Sequence, residues 1–223
     1  MLNLPRLLCV LSLIFLVFCD DANAKNVWRY KLTVEIETPE GIKTGSAVRQ
    51  LSKGRAGITF QESGNPAKIS GEAVVVDLGG RGVVFAILSD QSWKNSLVQA
   101  FGHKVKFETG MKAEHKENIP SFVTFSDMED PKTIQIVYSE PTGWGAKKED
   151  LIDNFEEIFG EGVKLKRIMV EITEDPLTKG IVDKFLPSVF RNNESFQEWW
   201  QSLTLEEKTK LSRFFRFKQG TKR

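Results

Sequence analysis

The sequence predicts an α+β fold: a largely antiparallel β-sheet with packed helices and a helical C-terminal section. Three observations carry this expectation. From Val27 to Thr38 apolar and polar residues alternate, the period of a half-buried strand. Val74-Val75-Val76 and Val83 to Leu88 form two apolar runs rich in β-branched residues and joined by Gly79-Gly80-Arg81-Gly82. Beyond residue 190, Ser195 with Glu198 and Thr204 with Glu207 each have the spacing of a capping box, in which a hydroxyl and a carboxylate satisfy free amides at a helix start.

The elements follow in order. Trp28, Tyr30, Leu32, Val34 and Ile36 share one face of the first strand. Pro39-Glu40-Gly41 supplies turn chemistry, and Ile42–Leu51 returns as the antiparallel partner. Gly57–Phe60 reads as a short strand and Ser63–Pro66 as a loop. The runs Glu72–Leu78 and Val83–Leu88 read as central strands buried on both faces. Their glycine link is a hairpin tip and not a phosphate cradle, because no helix opens behind it. Ser89 or Asp90 caps a helix carrying Trp93, Leu97, Val98 and Phe101, and Gly102 closes it. His103–Asn118 is polar, a loop or a ragged edge strand.

Ser121–Phe125 and Lys132–Tyr138 are two further strands about an acidic turn that ends in Pro131. A helix is predicted from about Lys147 to Phe159, with Leu151, Phe155, Ile158 and Phe159 as its stripe and Gly160 as its stop. Val163–Thr173 is a strand, and Asp175-Pro176 starts a short helix. The final helix is expected to run to about Phe217. The chain divides into residues 1–24, an α+β domain over 25–190 and a basic helical section over 191–223.

Residues 1–24 read as a secretory signal. Arg6 precedes the apolar run Leu7–Phe18, which is too short to span a bilayer, and Ala22 and Ala24 suit a signal peptidase. Cleavage after Ala24 predicts a periplasmic or secreted protein. Both cysteines, Cys9 and Cys19, fall inside this segment, so the mature chain is expected to be cysteine-free. That excludes thiol nucleophiles, disulfides and cysteine-ligated metal centres. Removing Arg6, Asp20 and Asp21 changes 31 basic and 30 acidic residues into 30 and 28. Residues 204–223 hold seven basic and two acidic side chains, leaving a mildly acidic body with a basic end.

Three segments carry a resemblance: Trp28–Gly41 (WRYKLTVEIETPEG), Gly71–Leu78 (GEAVVVDL) and Val170–Thr178 (VEITEDPLT). They resemble a group of uncharacterised bacterial proteins over most of residues 27–187. The resemblance implies a shared fold and brings no activity, cofactor or catalytic residue.

Candidate chemistry is sparse. His103 and His115 lie twelve residues apart in a polar segment, without the spacing of a helical metal site, and read as two solvated surface histidines. No metal or cofactor is expected. Asp77, Glu171 and the turn acids Asp127, Glu129 and Asp130 are the carboxylates that acid/base hydrolysis would use, though no spacing singles out a pair. Trp144, between two glycines, is a candidate binding tip. Lys208, Lys210, Arg213, Arg216 and Lys218, interleaved with aromatics, suit an anionic lipid surface or a protein partner, with nucleic acid excluded by export. The same helix also has an ordinary structural reading, docking Leu205, Leu211, Phe214 and Phe215 on the core, with its cations matching the helix dipole. The sequence therefore points to an exported, non-enzymatic envelope protein that binds a partner or a membrane surface. A carboxylate-based hydrolase is the alternative.

Overall fold

Pro39-Glu40 closes a hairpin in which β1 (Val27–Thr38) pairs with β2 (Gly41–Ser52) along its whole length, from Val27 opposite Ser52 to Thr38 opposite Gly41. Gly41 takes φ +115°, a backbone state open to glycine and strained for other residues. Tyr30, Leu32, Val34, Ile36 and Thr38 all point inward, as the period of two requires. The computed structural model describes residues 27–52, 68–88, 96–102, 106–141, 147–212 and 216–219. The proposed signal segment, the strand and loop expected within 57–66, Ser89, Asp90, Trp93, His103, Trp144, Arg213, Phe214 and Phe215 lie outside these residues.

Eleven described strands form two antiparallel sheets. One has the order β11-β3-β2-β1-β10-β6, the other β4-β5-β7-β8-β9. The further strands are β3 (Lys68–Glu72), β4 (Val74–Asp77), β5 (Val83–Ala86), β6 (Lys112–Glu114) and β7 (Phe122–Phe125). They continue with β8 (Ile134–Ser139), β9 (Ile152–Asp153), β10 (Lys164–Ile172) and β11 (Lys218–Gln219). The helices are α1 (Ser96–Phe101), α2 (Phe155–Phe159), α3 (Asn193–Ser202) and α4 (Leu205–Ser212). The α+β class holds in this coarse form.

The sheets share one core, which includes Leu32, Val34, Val74, Val84, Phe122, Val170 and Val182. The chain passes from one sheet to the other across Ala73 alone, between β3 and β4. Here the layers touch backbone to backbone. A Cβ on Gly45 of β2 would stand 1.9 Å from the carbonyl oxygen of Val75 on β4. This contact explains why β4 is buried although it is an edge strand and not a central one as expected: β2 covers it.

Three helix expectations are corrected. Only Phe155–Phe159 of the 147–159 stretch is α-helical, because Ile152 and Asp153 are extended and pair with Ser139 and Tyr138. Leu151, expected on the helical stripe, is instead exposed. No helix starts at Asp175-Pro176. A single helical turn begins at Val182, where the side chain of Glu72 takes up the free amides. The final helix does not reach Phe217. α4 is described as far as Ser212, and at residues 216 and 217 the chain is no longer helical. Phe217 is held in the core against Phe85 and Phe125, Ala73 N–H donates to its carbonyl, and Lys218–Gln219 pairs with Glu72 and Gly71. A buried aromatic anchor and a strand edge outweigh helix propensity there.

Candidate binding surface

α3 begins at Asn192, whose side-chain oxygen accepts from Glu194 N–H at 2.9 Å, so the expected Ser195–Glu198 box does not start it. Phe196, Trp199 and Trp200 then fall at i, i+3 and i+4 on one face. No residue of α3 is fully buried, and these three are half-buried. They continue an aromatic path from the core. Phe217 lies 5.7 Å from Phe190, Phe190 lies 5.6 Å from Phe196, and Phe196 stacks on Trp200 at 6.0 Å between ring centroids. The inner end of the path is fixed and its outer end meets solvent.

The next corner is equally well fixed. Thr204 and Glu207 form the expected capping box: Glu207 N–H donates to Thr204 Oγ1 at 3.2 Å and Thr204 N–H to Glu207 Oε2 at 2.8 Å. Lys132 Nζ donates to Glu207 Oε1 at 2.8 Å, fastening α4 to the turn before β8. Lys132 and the Thr204 donors hold the Glu207 carboxyl down at about 2. On this corner Leu205 is 82% exposed, contrary to the expectation that it docks, whereas Leu211 is buried.

The five basic residues singled out by the sequence do not form one helical stripe. Lys208 and Lys210 lie on α4, and Lys208 Nζ reaches the carbonyl of Gln201 at 3.4 Å. The side chain of Lys210, like Arg213 and Trp144, lies outside the described residues. Arg216 is half-buried outside any helix or strand, and burial pulls its guanidinium pKa down. Lys218 sits on β11 and is ion-paired with Asp183. Much of the basic end is therefore engaged within the fold.

The carboxylates named for hydrolysis have local roles. Asp77 accepts from Gly79 N–H at 2.8 Å, Asp127 from Glu129 N–H at 2.9 Å and Asp130 from Lys132 N–H at 2.9 Å. Glu171 is ion-paired with Lys112. Glu129 is an exposed member of the same turn as Asp127 and Asp130.

A buried polar cluster escaped the sequence reading. Arg49 on β2 is 2% exposed, and its Nε–H and Nη2–H donate to the carbonyls of Glu72 (3.0 Å) and Ala86 (2.8 Å). Its charge also acts on Tyr30, the residue opposite it on β1: burial raises the Tyr30 pKa and Arg49 partly offsets this. His115 is corrected outright: it is 2% exposed and not a surface histidine. Among the described residues neither ring nitrogen has a hydrogen-bond partner, and the backbone at Glu117 and Asn118 lies close without reaching bonding geometry. Burial lowers its pKa to about 4, with the Arg49 charge adding to the effect. The only hint in the sequence was that Arg49 falls at an inward position of β2, opposite Tyr30.

Among the described residues no group of His, Cys, Asp and Glu is arranged to hold a metal ion. Comparison with protein-family models, with curated proteins and with solved structures finds no match to this chain.

Proposed function

We propose that this is an exported, non-enzymatic envelope protein that seats the half-buried aromatic face of α3 and the adjoining Leu205 corner on an anionic membrane surface. One observation carries the reading: Phe196, Trp199 and Trp200 lie half-buried on one face of α3, and Leu205 projects from the adjoining corner. Aromatic side chains that offer an apolar body and, in tryptophan, a polar N–H suit the boundary between headgroups and acyl chains. Lys208 follows on α4, where a cation would meet lipid phosphates, and Lys210 and Arg213 come next in the sequence. α3 itself carries Glu194 and Glu198, so attraction must come from α4 and the apolar contact must supply much of the affinity. Among the described residues no helix is long and apolar enough to cross a membrane. The reading therefore concerns attachment to a surface.

Export is supported by the signal-like pattern of residues 6–24, and intact Met1 on a cytoplasmic protein, detected by mass spectrometry, would overturn it. Surface binding is tested by co-sedimentation of the chain beginning at Lys25 with phosphatidylglycerol vesicles and with phosphatidylcholine vesicles. The expected result is pelleting with the anionic vesicles that weakens as salt rises. Equal recovery in the supernatant with both kinds would refute it. A protein partner would use the same aromatic face and would leave both vesicle types unbound.

A further inference from the structure

We infer that a groove along the outer edge of β8 takes up an extended, cationic peptide as an added strand; this goes beyond membrane attachment and uses a different part of the molecule. The groove encloses about 430 Å³ and is lined by Ile134, Gln135 and Ile136 of β8, Ile152 of β9, Ile158 of α2 and Leu211 of α4, with Asn154 and Glu157 as its polar members. Neighbouring side chains on a strand point to opposite faces. A space that meets Ile134, Gln135 and Ile136 together must therefore reach the strand's edge and not merely one of its faces.

The hydrogen-bond register shows which backbone groups face that edge. Ser126 N–H donates to Thr133 O, so Thr133 is directed at β7. In an antiparallel ladder successive residues alternate between the two sides, which turns Gln135 toward β7 and Ile134 and Ile136 away from it. Asn154 confirms this independently, since its Nδ2–H donates to Ile136 O at 3.2 Å from the outer side. The edge strand β9 covers Tyr138 and Ser139, and Asn154 N–H donates to Val137 O at 2.8 Å, so the covered stretch begins at Val137. Among the described residues, Ile134 N–H and C=O and Ile136 N–H meet no hydrogen-bond partner on this side.

An unpaired edge flanked by apolar pockets is the geometry of strand addition: backbone groups supply the bonds and alternate side chains enter the groove. Ile134 and Ile136 present one face to residues i and i+2 of such a strand. Charge selects the peptide. Glu157 is the charged member of the lining, and the stretch 147–161 from which it, Ile152, Asn154 and Ile158 come holds six acidic and two basic side chains. An extended segment that pairs apolar residues with flanking lysine or arginine fits this edge.

The test uses the full chain and a capped peptide alternating valine and threonine between terminal lysines. Two control peptides accompany it, one N-methylated at alternate amides and one with glutamate for lysine. Hydrogen exchange should show the Ile134 and Ile136 amides slowing at least about tenfold when the lysine peptide binds. Both control peptides should bind at least about tenfold more weakly. Glu157→Lys should weaken the preference for the lysine over the glutamate peptide without altering the fold. Equal binding by the N-methylated peptide overturns the proposal. So does protection of both amides in the free chain, whether it persists on dilution, as for an edge covered from within, or vanishes, as for an edge paired with a second copy.

Discussion

Arg49 donates its Nε–H to the backbone carbonyl of Glu72 at 3.0 Å, while the carboxylate of Glu72 accepts from the amides of Gly180, Ile181 and Val182 at 2.5, 3.1 and 3.3 Å. One residue of β3 thus joins β2 on one side and the turn after β10 on the other. Both side chains are 2% exposed, so water cannot substitute for either.

Glu72→Ala is expected to lower stability by about 3 kcal/mol or more, since it leaves three amides without an acceptor in a buried place. Glu72→Gln, which keeps one oxygen, should cost roughly half as much. Urea midpoints at neutral pH measure both. An Ala variant within about 0.5 kcal/mol of the parent would show that the carboxylate does not hold this turn.

His115 makes stability depend on pH with a definite sign. Its folded pKa of about 4 lies below the ordinary 6.5, so between these values the unfolded chain binds more protons than the folded one. Its contribution is present in full above pH 6.5 and is lost as pH falls toward 4. The loss amounts to about 3 kcal/mol by the lower limit. His115→Leu should remove this slope while leaving the carboxylate titrations in place. Parallel curves of urea midpoint against pH for parent and variant would contradict the burial of an uncharged imidazole.

Gly45→Ala is expected to cost more than about 3 kcal/mol, because the new Cβ would fall 1.9 Å from the carbonyl oxygen of Val75, a backbone atom unable to move aside cheaply. Gly80→Ala is the control. A Cβ there has nothing within 4 Å, and the change should stay within about 0.5 kcal/mol. Thermal unfolding of the two variants tests whether the sheets meet at Gly45.

Local pattern made β1, β2, β5, β7, β8 and β10 readable, because half-burial writes a period of two or an apolar run directly into sequence. The Thr204–Glu207 box was readable for the same reason, being closed within four residues. Long-range partners misled the rest. The helix expected over 147–159 gave way to pairing of Ile152 and Asp153 with β8, and the turn at Val182 is capped by Glu72, 110 residues away. Phe217, expected only as the end of the final helix, lies in the core outside any helix, since Phe85, Phe125 and Ala73 fix it and local propensity does not. His115 looked solvated amid charged neighbours, yet the pairing of β6 with β10 carries it inward. Of the candidate site, Trp199 and Trp200 stand in the sequence just before the basic stretch, whereas the exposure of Leu205 follows only from how the corner is anchored.

The proposal that the α3 face and the Leu205 corner form the binding surface is tested most directly by vesicle co-sedimentation of the triple variant Trp199→Ala/Trp200→Ala/Leu205→Ser beside the parent chain. Trp199 and Trp200 also pack on Phe190 and Phe196, so the variant should unfold below the parent temperature, and binding is compared at a temperature where both chains are folded. Its affinity for phosphatidylglycerol vesicles should fall by at least about tenfold, the loss expected when several apolar contacts with the lipid are removed. A folded variant that pellets as well as the parent would contradict the assignment of this face.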